Sequence, residues 1–189
     1  MQEHHFDERM VSRLENESRI DELRPSDLLR NIGGIREGMT CIELGCGTGV
    51  FTVPMAEIVG RTGKVYGVDD SQAMLDHIRS KKPPQHLILL KKDVRETGLD
   101  ESIADFCLLA FILHEVKDPE VLVAEAFRLL KHGGKIMIVE WRPDAEGKGP
   151  PKSIRLTEER VRQIFNHHDL KDFHYRVWSV NHYVATAVK

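Results

Sequence analysis

Three glycines on alternate positions, Gly45-Cys46-Gly47-Thr48-Gly49, follow directly on the apolar run Cys41-Ile42-Glu43-Leu44 and lead at once into Val50-Phe51, where helical spacing begins. Glycine enters positive φ without steric cost and lets another molecule come close to the backbone. The start of the following helix presents unpaired N–H groups to a polar or anionic group. Strand, tight glycine turn and helix in this order describe a ligand-binding turn or, with no ligand, a strained one. A dinucleotide fingerprint, GxGxxG, would place its third glycine at position 50, and the chain has Val50 there.

The same strand-then-helix alternation continues downstream. Short apolar runs at 40–44, 64–68, 87–90, 106–112 and 135–139 read as buried strands, and the segments 51–59, 72–81 and 120–130 carry helix-spaced apolar residues. That order predicts a doubly wound α/β domain with a mostly parallel sheet. Thr157-Glu158-Glu159 opens a further helix, and 173–180 with 183–188 read as a closing β-hairpin whose turn is Asn181-His182. Upstream, Met10, Val11, Leu14 and Ile20 predict a helix over 8–23, and Pro25-Ser26-Asp27 starts a second that stops at Gly33-Gly34. Residues 1–38 are thus a helical segment able to act as a lid, and residues 39–189 the core of what is one structural domain. The Pro- and Gly-rich stretch 142–155 is a loop after a strand's carboxyl end, either a second lid or a solvated connector.

A chain of 189 residues, 41% hydrophobic, is long enough for one well-formed core. With 27 basic and 30 acidic residues the formal net charge is -3, so no global positive field recruits nucleic acid. The charged N-terminus has neither a signal-peptide core nor an apolar run long enough to enter a membrane. Cys41, Cys46 and Cys107 have no CxxC spacing, which argues against a disulfide framework or a zinc site and for a reducing, cytoplasmic setting. The adjacent histidines His4-His5 and His167-His168 are badly placed to chelate jointly, and no metal is expected.

Asp69 ends the second strand about twenty residues past the last glycine, where an acidic side chain accepts both hydroxyls of a ribose. Asp70 beside it is a second carboxylate for the same ligand or a charge at the next helix start. Asp93 closes the third strand, at the place from which a side chain reaches an adenine amino group, or is an ordinary turn residue.

Taken in order, Ile42 to Gly49, Val65 to Asp69, Lys92-Asp93-Val94, the edge from Asp105 to Val116, and Leu129-Leu130-Lys131-His132-Gly133-Gly134-Lys135 resemble the class I S-adenosylmethionine-dependent methyltransferases. The likeness covers the chain from about Leu28 on and is strongest to the small-molecule branch that includes the ubiquinone and menaquinone C-methyltransferases. It implies a Rossmann-like three-layer sandwich whose seven-stranded, mostly parallel sheet has an antiparallel last strand. It also implies that Gly45, Cys46 and Gly47 line the methionine moiety, Glu43 supports the loop and the amino end, and Asp69 holds the ribose. Asp93 and Val94 would then meet the adenine, Phe111 would border the cofactor, and Met74 would pack near the adenosine or belong to the core.

Methyl transfer from a sulfonium is an in-line displacement, so alignment and exclusion of water come first and a base is optional. His114, in Ala110-Phe111-Ile112-Leu113-His114-Glu115-Val116, is the candidate to deprotonate or orient an acceptor, with a packing histidine as the competing role. Glu140, Trp141 and Arg142 end the fifth strand as candidate walls of the acceptor pocket, Arg142 for an acidic group. Arg19 and Arg24 are candidate charges supplied by the N-terminal helices. The edge lacks the Asn/Asp-Pro-Pro-aromatic tetrad of amino-group methylation, and the scattered cysteines disfavour the arsenite chemistry of a neighbouring branch. The expected activity is methyl transfer to a small-molecule acceptor; the alternative is a noncatalytic cofactor-binding or partner-activating module.

Overall fold

The computed structural model describes residues 8–146 and 149–189, which leaves the His4-His5 pair outside it. The chain runs α1 (Glu8–Leu14), α2 (Glu17–Leu23), α3 (Pro25–Asp27, continued as a π-helical turn Leu28–Gly33), β1 (Thr40–Leu44), α4 (Thr52–Val59), β2 (Lys64–Asp69), α5 (Gln72–Ser80) and β3 (Leu87–Lys91). It continues through β4 (Ala104–Ala110), α6 (Pro119–Leu129), β5 (Leu130–Trp141), α7 (Glu158–His167), β6 (Lys171–Val177) and β7 (His182–Val188).

The strands form one seven-stranded sheet in the order β3-β2-β1-β4-β5-β7-β6. Pairings among β1 to β5 are parallel, and β7 lies antiparallel between β5 and β6. This is the Rossmann-like sandwich expected, including the inserted last strand. The order reverses between β1 and β4, the switch point outside which ligands bind in open α/β sheets.

Burial on both faces explains why β1 is apolar apart from Thr40 and Glu43. Alternate residues then serve opposite layers. Ile136 and Ile138 of β5 join Leu122, Val123 and Phe165 of α6 and α7, whereas Met137 and Val139 join Leu23, Met55 and Leu75 from α2, α4 and α5.

Several boundaries differ from the sequence reading. The helix expected over 8–23 breaks at Glu15-Asn16, and Arg24 takes a left-handed conformation, φ 46°, that turns the chain into α3. β4 stops at Ala110 because Phe111 leaves the strand at φ 57°. The turn before β7 falls at 178–181, since the His182 carbonyl accepts the N–H groups of Trp178 and Ser179 at 3.0 and 3.1 Å, and His182 pairs with Trp141 as the first residue of the strand. Among the described residues no helix is long and apolar enough to cross a membrane.

Candidate functional site

β1 delivers the glycine loop to the switch point, and its geometry decides which ligand it suits. The N–H groups of Gly45 and Cys46 both donate to the Val68 carbonyl at 2.8 and 3.0 Å, Gly47 donates to Asp69 Oδ2 at 2.8 Å, and Gly49 to the Cys46 carbonyl at 2.9 Å. Four of the five loop donors are therefore committed inside the protein, which leaves a poor cradle for a pyrophosphate. Beneath the loop Glu43 is buried and accepts a hydrogen bond from the Thr52 hydroxyl. Burial pushes its pKa up to about 8. A buried acid that gains stability on meeting a cation is the complement of an ammonium group.

The glycines divide the labour. Gly45, at φ 81°, faces Ile112, whose Cδ1 would clash with any Cβ added there. Gly47, at φ 49°, has nothing within 4 Å of that position, so the loop is open on this side. Next to it Asp69 uses one oxygen on Gly47 and the other on the Ser71 N–H at 2.9 Å, and burial raises its pKa. Each oxygen keeps a lone pair, enough for two ribose hydroxyls. The Ser71 hydroxyl caps α5 through the Met74 N–H, which fixes the helix start beside Asp69.

The remaining predicted residues separate into groups. Met74 is buried on α5, and Asp70 is exposed. The Asp93 carboxylate is gripped by Arg95, through its Nε and backbone N–H at 2.9 Å each, and the bond to Arg95 holds its pKa below the ordinary value; Val94 is half-buried against the core. His114 gives Nδ1 to both oxygens of Glu140 at 2.9 Å, and its ring lines a cleft of about 550 Å³ with Val116, Ile154 and Arg160. Burial opposes its protonation, but Glu140 outweighs it and raises the pKa. Glu140 also accepts the Trp141 N–H and is fully buried. Arg142 is already held by Asp144 at 2.7 Å and by the Val180 carbonyl at 3.1 Å, and thus fastens the loop after β5 to the turn before β7 where sequence suggested an acid-binding role.

Phe111 and Trp141 meet on the other face of the sheet, 5.9 Å apart, and His182 packs on both at 5.2 and 4.5 Å. The N-terminal helices lie across this cluster. Glu15 binds His77 and Lys81, Lys81 reaches the Thr48 carbonyl at 2.8 Å, and the Arg19 guanidinium stacks 4.7 Å from the Phe111 ring centre. Burial pulls the Arg19 pKa down to about 10. At the far end Glu22 accepts from the Ser179 hydroxyl at 2.6 Å and from Asn181 Nδ2 at 3.0 Å. Arg24 turns away and stacks on Trp178. Sequence reasoning missed Glu22, Lys81, Ser179 and His182, because each acquires its partner from a distant part of the chain.

Comparison with known proteins agrees with this geometry. Residues 42–138 match the model of a methyltransferase domain. Demethylmenaquinone methyltransferases from Oceanobacillus iheyensis and Staphylococcus aureus are each 33% identical to the chain, over 56% and 57% of it and over 46% and 45% of their own sequences. The chain spans about half the length of these curated relatives. A S-adenosylmethionine-dependent methyltransferase from Aquifex aeolicus superposes with a TM-score of 0.87 at 25% identity, covering 96% of this chain and 98% of its own. A type 11 methyltransferase from Sulfolobus solfataricus superposes with a TM-score of 0.71 at 26% identity over 88% of this chain and 92% of its own. A domain match over more than half of the residues, on a sheet that places a buried acid under the glycine loop and an aspartate beside it, makes the chain a member of the class I S-adenosylmethionine-dependent methyltransferase family.

Proposed function

We propose that this protein transfers the methyl group of S-adenosylmethionine to a small-molecule acceptor. The observation that carries the assignment is the joining of Asp69 to Gly47 at the mouth of a loop whose donors are satisfied internally and whose floor is the buried Glu43. This donor set fits a nucleoside that ends in an amino acid better than a dinucleotide. When bound, S-adenosylmethionine supplies an electrophilic methyl on a positively charged sulfur. Glu43 would hold the ammonium end, Gly45, Cys46 and Gly47 the methionine chain, Asp69 the ribose, Val94 the adenine, and Phe111 the apolar border of the reacting centre. Asp93, held by Arg95, would offer the adenine the free lone pair of Oδ2.

The lid role belongs to α1 and α2, which cross the carboxyl edge from α5 to the turn before β7 and exclude water from it. We assign His114 a positioning role: its bond to Glu140 ties the segment after β4 to β5 and raises its pKa. The names of the curated relatives support a small-molecule acceptor of the quinone kind, and three buried, free thiols support a reducing, cytoplasmic setting.

Calorimetric titration with S-adenosylmethionine, S-adenosylhomocysteine and NAD tests the site. Saturable binding of both adenosyl ligands, no binding of NAD, and a loss of about tenfold or more in Asp69→Ala are expected. Binding of NAD alone, or of none of the three, would overturn the assignment. Radiolabelled methyl donor then decides turnover: bound cofactor with no methyl transfer to any of a panel of small acceptors would make the protein a binding module.

A further inference from the structure

His182 is the one histidine at the carboxyl edge that the cofactor reading leaves without a task. Its side chain is 1% exposed, and its Nε2 has no hydrogen-bond partner among the described residues. Burying a polar atom without a partner is costly, and such atoms in a native fold call for an explanation. The other ring nitrogen is fully engaged. Nδ1 lies 3.1 Å from Ser179 Oγ and 3.3 Å from Glu22 Oε1, and the Ser179 proton is committed to Glu22 at 2.6 Å. Ser179 Oγ also accepts the backbone N–H groups of Asn181 and His182 at 3.2 and 3.1 Å, so a hydrogen on Nδ1 has Glu22 Oε1 as its acceptor, and this tautomer leaves Nε2 with an unshared lone pair. The ring is seated between Phe111 and Trp141, the first of which borders the reacting centre.

We infer that the aromatic cluster of Phe111, Trp141 and His182 beneath the N-terminal helices is a subsite for a hydroxyl group of the acceptor, held by the lone pair of His182 Nε2 once the covering helices move aside. The role in acceptor choice rests on the methyltransferase reading; the hydroxyl site itself rests only on this chain's side chains. Burial, with Arg19 close by, pushes the His182 pKa down to about 4, so the ring stays neutral and keeps its lone pair at neutral pH. Glu22, on α2, makes the lid part of the recognition device by setting the tautomer. The covering helices must give way for entry, Arg19 on the Phe111 face among them. His182 is here a specificity residue: it accepts a hydrogen bond and takes no proton.

The test uses phenol as a minimal hydroxyl probe and anisole, its O-methyl counterpart, titrated into the full chain with and without S-adenosylhomocysteine while the ¹⁵N resonances of the histidines are followed. Phenol is expected to move the His182 Nε2 resonance and to bind at least about fivefold more tightly than anisole. That preference should vanish in His182→Phe, which keeps the stacking, and survive in part in His182→Gln, which keeps an acceptor oxygen. If phenol and anisole bind alike, or neither moves His182 at millimolar concentration, the subsite is refuted, and the wild-type spectra decide this even if a variant misfolds. Loss of S-adenosylhomocysteine binding with the phenol preference intact would refute the cofactor reading and leave the subsite standing.

Discussion

Replacing Glu43 by glutamine tests the floor of the cofactor site through its proton. Glu43 is 2% exposed, bonded to the Thr52 hydroxyl, and burial, the largest influence, lifts its pKa from the ordinary 4.5 to about 8. Between these two values the unfolded chain has released the proton and the folded chain still holds it. Stability must therefore fall as pH rises from 4.5 to 8 and stay lower above. At 1.36 kcal/mol per pH unit the full displacement amounts to on the order of 5 kcal/mol, the ceiling for this one group. Glutamine keeps the shape and the hydrogen bond but cannot ionise, so urea unfolding from pH 5 to 8 should show a flatter profile for Glu43→Gln, with the variant the more stable protein at pH 8. The cofactor's ammonium favours the carboxylate. Wild-type binding at pH 7 should thus release close to one proton, read by calorimetry in two buffers of different ionisation enthalpy. The variant should release none and bind about 10- to 100-fold more weakly. An equal pH slope in both proteins, or binding without proton release in the wild type, would refute the reasoning.

Two glycine substitutions a residue apart should fail in different ways. Gly45→Ala forces a Cβ against Ile112 at φ 81° and should lower stability by about 2–3 kcal/mol on thermal unfolding, whereas Gly47→Ala meets no protein atom, carries only the cost of its left-handed φ of 49°, about 1 kcal/mol, and should leave Tm within a few degrees while weakening S-adenosylhomocysteine at least about tenfold. Glu140→Gln should drop the His114 pKa, since burial already opposes the charged ring, and NMR titration of His114 reads it. With the folded pKa raised in the wild type, this pair stabilises the protein fully below the unfolded value near 6.5 and ceases to do so as pH rises through the folded value; an unchanged His114 titration in the variant would discard the coupling.

Strand β1 was legible residue for residue, because a run buried on both faces and stopped by glycine has one reading. The carboxylate of Asp69 was legible from its strand end beside the glycine loop, whereas Glu43 came only with the family resemblance. What eluded the sequence was settled by partners far along the chain. Asn181-His182 looks like a hairpin turn, yet His182 pairs with Trp141 and the turn closes two residues earlier. Phe111 adopts φ 57° with no glycine to announce it, held by its N–H on the Val139 carbonyl at 2.8 Å. The first helix breaks without proline or glycine at Asn16, whose ψ of 128° leaves the helical range just after Glu15 closes the last turn on Val11. Arg142 and Asp93, singled out by their place at strand carboxyl ends, each hold a partner two residues away.

The two histidines at this edge show how a carboxylate's distance sets a side chain's task. Glu140 touches Nδ1 of His114 with both oxygens and moves that ring toward its charged form. Around His182 burial comes first and Arg19 adds to it, and together they outweigh Glu22, whose Oε1 stands 3.3 Å from Nδ1 and is shared with the Ser179 hydroxyl, so this ring stays neutral. Ser179→Ala should therefore convert the second case into the first. With the hydroxyl gone, Nδ1–H meets the carboxylate alone, the His182 pKa should climb from about 4 toward the ordinary histidine range, and the preference for phenol over anisole should fade below that new pKa as the imidazolium forms. A variant whose His182 still titrates near 4 would show that burial and Arg19, and not the placement of Ser179 between the two groups, keep the ring neutral.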